Sequence, residues 1–99
     1  MIEVETDVVI QRAVDDLRSL SEATGLSRRD VGALLGTSGQ LVQDWLSGRA
    51  SPTRLDVFFR LSRLIQILQA MTEEDRTMLK KSYARRQRWV QGYCPELAE

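Results

Sequence analysis

Apolar residues recur along the chain at every third or fourth position, the period of a helix buried along one face. Ile10, Ala13, Val14, Leu17 and Leu20 form the first such stripe, with Asp7 placed to cap it and Gly25 to stop it. Ser27-Arg28-Arg29-Asp30 approximates a capping box, with Asp where Glu or Gln is usual. It opens a short helix bearing Val31, Leu34 and Leu35 that ends at Gly36. Ser38 caps a third helix, which runs through Leu41, Val42, Trp45 and Leu46 to Gly48. Ser51-Pro52 is a start signal, because proline in the first helical turn forfeits no hydrogen bond. The fourth helix carries Leu55, Phe58, Phe59, Leu61, Leu64, Ile65 and Leu68. Thr72-Glu73-Glu74-Asp75 caps a fifth, which continues to about Val90 before Gly92 and Pro95 release the chain. Strand signals are poor, since β-branched residues cluster only at Val8-Val9-Ile10. The pattern predicts an all-α protein of five helices.

A chain of 99 residues suits one modest core. No apolar run approaches the ~20 residues of a membrane span, and the acidic N-terminal stretch is unlike a secretory signal, so a cytoplasmic protein is expected. One cysteine, Cys94, and no histidine leave no internal disulfide, no ordinary zinc site and no imidazole catalysis. Cys94 reads as an incidental thiol. Formal net charge is zero, but it is unevenly spread. Residues 1–25 hold two bases against six acids, and residues 70–99 hold six bases against five acids. Residues 26–69 hold six bases against three acids, and every base there is arginine, whose planar fork suits phosphate and guanine.

The connection between the second and third helices is short and centred on Gly36. It is too tight for antiparallel packing, so the two helices should cross steeply, as in a helix-turn-helix. Each is shorter than the ~12–15 residues that persist alone, so Val31, Leu34, Leu35, Val42, Trp45 and Leu46 must face inward and lock them together. Trp45 belongs to that core by register. The outer surface of the third helix is left to Gly39, Gln40, Gln43 and Asp44, a small, polar, nearly uncharged face suited to base edges.

The stretch from Leu26 to Pro52 resembles the helix-turn-helix of the lambda-repressor/Cro-like (Xre) family. The likeness rests on Gly36 at the turn, on Val31, Leu35, Val42 and Trp45 beneath it, and on Leu46-Ser47-Gly48-Arg49 followed by Pro52. It implies an all-α, lambda-repressor-like fold of five helices, with the helix-turn-helix DNA-binding domain over residues 1–70. Residues 71–99 then form a C-terminal amphipathic helix and tail for dimerisation or partner binding. Carried over by position, it gives Gln40 a base-reading role, a glutamine amide being able to pair with adenine N6 and N7. Gln43 and Asp44 are the next outward positions, and Asp44 could accept from a cytosine amine. Gly39 departs from the glutamine often found there, which removes one base contact. Arg28 matches a position that contacts the DNA backbone and buttresses the recognition helix, and Thr37, Ser38, Ser47 and Arg49 match phosphate-contacting positions.

Arg60 and Arg63 read as a solvated face of the fourth helix. Phe58 and Phe59 cannot both point inward; one joins the core and the other, with Leu61 or Ile65, meets a partner. In the last third, Met71, Met78, Leu79, Tyr83, Trp89 and Val90 make a loose apolar stripe beside basic Lys80, Lys81, Arg85, Arg86 and Arg88. The function expected from the resemblance is a transcriptional repressor that binds double-stranded DNA at an inverted repeat as a homodimer. The alternative is the antitoxin of a toxin–antitoxin pair, its C-terminal region masking a toxin. An enzyme is not expected, for want of a metal cluster, a phosphate-binding glycine loop or a paired nucleophile and base, and no cofactor is implied.

Overall fold

The first helix, α1 (Ile2–Thr24), starts upstream of Asp7, so that residue lies within the helix rather than capping it. A computed structural model describes residues 2–93, with side chains placed from residue 8 onward; Cys94 and Pro95 lie outside the described residues. The stripe on α1 faces inward as its spacing requires: Ala13, Val14 and Leu17 are buried and Leu20 packs beside them. Gly25, at φ 73°, ends the helix.

Five further helices follow: α2 (Arg28–Leu35), α3 (Gly39–Leu46), α4 (Leu55–Ala70), α5 (Glu73–Lys81) and α6 (Tyr83–Tyr93). The fold is all-helical over the described residues, with six helices where the pattern suggested five. The difference arises at Ser82. The backbone turns extended there, and the Ser82 hydroxyl accepts from the Arg85 amide at 3.2 Å, starting a new helix. This break lets α6 fold back on α2, where Gln87 Nε2 donates to Asp30 Oδ1 at 3.2 Å and Val90 is buried. A straight helix from Thr72 to Val90 could not reach α2 in this way.

The start of α4 also differs. Ser51-Pro52 precedes the helix by several residues; Pro52 is buried, and α4 opens only at Leu55. Along α4, Val57, Leu61, Leu64, Ile65 and Leu68 enter the core. Leu61 and Ile65 are therefore unavailable to a partner. Phe58 packs against the core, while Phe59 is 62% exposed and Leu55, one turn earlier, 67%.

Four arginines share a structural task that their exposed-looking positions did not suggest. A helix leaves its last carbonyls without internal donors. Arg60 Nη1 donates to Leu35 O at the end of α2 (3.2 Å), and Arg18 Nη2 to Leu46 O at the end of α3 (2.7 Å). Arg76 reaches Leu68 O and Met71 O at the end of α4, both at 2.9 Å, and Arg86 reaches Leu79 O and Lys80 O at the end of α5. Placing a cation there also complements the negative end of each helix dipole. Arg60 thus serves as a clasp, whereas Arg63 stays exposed as expected.

Candidate nucleic-acid interface

The α2–turn–α3 unit is built by caps and by two close approaches. Ser27 accepts from the Asp30 amide at 3.0 Å, and Asp30 accepts from the Ser27 amide at 3.1 Å, completing the box with Asp in the Glu position. Gly36 closes α2 in the left-handed region at φ 72°. Thr37 N–H then donates to Gly32 O at 2.8 Å, and Ser38 Oγ accepts from the Leu41 amide at 3.1 Å to start α3.

What allows α2 and α3 to approach so closely is glycine on both sides of the contact. A Cβ at Gly32 would lie 2.8 Å from the Ser38 carbonyl carbon, 2.9 Å from Gly39 N and 2.9 Å from Thr37 O. At Gly39 it would lie 3.1 Å from both Arg29 Cα and Arg29 N. Gly39 therefore does not stand on the outer face with Gln40, as its register suggested. It is half-buried against the α2 main chain, and the absence of a side chain is what lets the start of α3 come against the start of α2. The buttress expected of Arg28 likewise runs through main chain, since Gly39 packs on the Arg28–Arg29 backbone.

Beneath this crossing, Val31, Leu35, Val42 and Trp45 are all buried, Val42 and Leu35 completely. The opposite side of α3 is polar. Gln40 is exposed, and its Nε2 donates to Asp44 Oδ1 at 3.1 Å, so the two side chains form a linked pair. Gln43 and Asp44 are half-buried. At the end of α3, Ser47 is exposed and its hydroxyl donates to Asp44 O at 3.2 Å; Arg49 is exposed with no side-chain partner among the described residues. Thr37 is half-buried and Ser38 exposed at the other end. The Ser38 oxygen accepts from the helix, which leaves its proton free for an anion; the Ser47 hydroxyl must release Asp44 O before it can donate elsewhere.

A cleft of about 430 Å³ runs between the end of α1, the start of α2 and α3, lined by Arg28, Gln43 and Ser47 with Arg18 and Glu22 on its α1 wall. The structure thus gathers three of the sequence-predicted residues around one opening, with Gln40 and Asp44 on α3 and Arg49 beyond its end. Arg29, adjacent to Arg28, is exposed and equally unpaired among the described residues, although the family resemblance assigned a contact only to Arg28. Arg18 was missed because its partner, a carbonyl at the end of α3, lies 28 residues away.

Among the described residues no group of His, Cys, Asp or Glu side chains could hold a metal ion, and no helix is long and apolar enough to cross a membrane. Comparison with protein families matches residues 13–78, two thirds of the chain, to a helix-turn-helix domain. No curated protein and no solved structure matches the chain.

Proposed function

The chain belongs to the helix-turn-helix domain family, and we propose that it is a sequence-specific transcriptional regulator, a repressor that binds an inverted repeat as a homodimer. The observation that carries this reading is the two-sidedness of α3. Val42 and Trp45 anchor one face in the core, while the Gln40–Asp44 pair is held outward on a short, capped helix. A major groove admits one such helix, and the Gln40 amide can serve adenine, with Asp44 Oδ2 left to accept from a cytosine amine. Arg28, Thr37, Ser38, Ser47 and Arg49 surround that face with donors for the phosphates on either side. Gly39 contributes by position rather than by contact.

A dimer is supported by Leu55 and Phe59, an exposed apolar pair one turn apart on α4, flanked by Arg54 and Asp56. Two copies related by a two-fold axis would bury the pair, while Arg54 and Asp56 on either side of Leu55 pair with each other at 2.9 Å. A second reading, an antitoxin whose C-terminal part also binds a toxin, draws on a groove of about 510 Å³ between α5 and α6. Met71, Met78 and Trp89 line it with Arg85 and Arg88.

Selection of bound duplexes from a random library tests the proposal. Enrichment of two symmetric half-sites about one helical turn, or a multiple of it, apart is the expected result. Recovery of unenriched sequences at every round would overturn base reading, and a single unrepeated half-site would overturn the dimer.

A further inference from the structure

Resting on the DNA-binding reading above, we propose that the α5–α6 elbow is a second phosphate clamp, in which Lys80, Lys81 and Tyr83 join Arg29 to grip the DNA strand outside the site read by α3. The last helix of the α2–turn–α3 unit ends at Leu46 and the elbow lies at Ser82, so the return of the chain is what brings the two together. A Cβ at Gly25 would stand 3.2 Å from Lys80 Cα, which places the end of α5 directly on the α1–α2 turn. Gly25 precedes Arg28 by three residues, a span of at most ~11 Å. The backbone of Lys80 therefore lies beside the start of α2, the end of that helix that the proposed interface turns toward the duplex, with Lys81 next along the chain.

A second cleft, of about 600 Å³, brings Arg29 and Tyr83 to one opening between α2 and α6, with the lysines outside its lining. Tyr83 is 69% exposed, with Arg86 over its ring at 5.6 Å, so its hydroxyl is presented on a braced side chain. Arg29, Lys80 and Lys81 are exposed, and none pairs with a carboxylate among the described residues. Asp30, which lines the same cleft, is buried and already accepts from Ser27 and Gln87. The acids of α5, Glu73, Glu74 and Asp75, sit in its first turn at the far end of the helix. Arg86 holds Leu79 O and Lys80 O, fixing the elbow rather than adding to the free charge. Exposed cations beside a helix start are what a phosphate backbone recognises, and the exposed Glu22 of α1, three residues before Gly25, is the acid they must outweigh.

The test uses the full chain and a duplex chosen by the protein itself from a random library, either embedded in flanking base pairs or trimmed to the selected site. The K80Q/K81Q double variant is compared with R85Q/R88Q, which removes the same charge from the groove on the other side of α6. For K80Q/K81Q the slope of log K against log salt should fall by about 2 on the long duplex and stay at the wild-type value on the trimmed one. R85Q/R88Q should leave both slopes unchanged. An unaltered slope for K80Q/K81Q on the long duplex, or an equal fall for both variants, overturns the clamp while leaving helix-turn-helix binding intact. Failure of the wild-type chain to enrich or bind any duplex overturns the functional reading itself and the clamp with it.

Discussion

Replacing Gly32 by alanine isolates what the crossing of α2 and α3 costs and what it provides. In an ordinary helix the change favours folding, because alanine exceeds glycine by about 0.8–1.0 kcal/mol. Here the added methyl would meet three backbone atoms at 2.8, 2.9 and 2.9 Å, all belonging to the turn or to the start of α3. None is the tip of a side chain that could swing away. The clash must be relieved by moving α3 off α2, and overpacking of this kind costs about 3 kcal/mol at the upper end of its usual range. The net expectation is a loss of about 2 kcal/mol, or roughly 8–16 °C in Tm for a domain of this size. Urea unfolding followed by the fluorescence of Trp45 and Trp89 measures it. Gly92→Ala supplies the control, since nothing lies within 4 Å of its added carbon and the residue is helical. That variant should match the wild type or gain up to about 1 kcal/mol. If Gly32→Ala were as stable as Gly92→Ala, the close approach would not be what sets the angle of the motif.

Other expectations follow from the roles assigned above. Gln40→Ala should lose about 1–3 kcal/mol of discrimination at one base pair, read by competition between the selected site and single-base variants; equal losses on selected and random DNA would remove its base-reading role. Arg49→Ala should weaken all sequences alike and lower the salt slope by about one, and a loss confined to one sequence would contradict a phosphate contact. Trp45→Ala empties a site that is 3% exposed and should destabilise the fold by about 3–5 kcal/mol in the same urea experiment; a loss below 1 kcal/mol would place the indole outside the core.

The helix-turn-helix was legible in the chain because its determinants are local. Ser27, Asp30, Gly36 and Ser38 each act within a few residues of themselves, so caps and turn could be read from spacing, and the inward placement of Val31, Leu35, Val42 and Trp45 followed from period. The rest depended on partners distant in sequence. Arg60 looked like a solvated cation because the carbonyl it meets is 25 residues earlier. Leu61 and Ile65 looked available to a partner because a helix stripe does not say how many neighbours will cover it. The break at Ser82 was hidden by helix formers on both sides. What decides it is the reward at the far end, Val90 and Gln87 reaching α2. Gly39 shows the limit most plainly: its register pointed outward, but the absence of a side chain was the clue, and its meaning required knowing what stood 3.1 Å away.

The contact between Gln87 and Asp30 spans 57 residues, whereas the turn that joins α2 to α3 closes within a handful. The difference in ring-closure entropy between the two is about 2 kcal/mol in favour of the nearby pair. The expected order of assembly is that α2 and α3 meet early and that α6 docks after α4 and α5 have carried the chain back. Unfolding is expected to run in the opposite order, with amide protons of α6 exchanging through a shallow opening while those around Leu35 and Val42 wait for global unfolding.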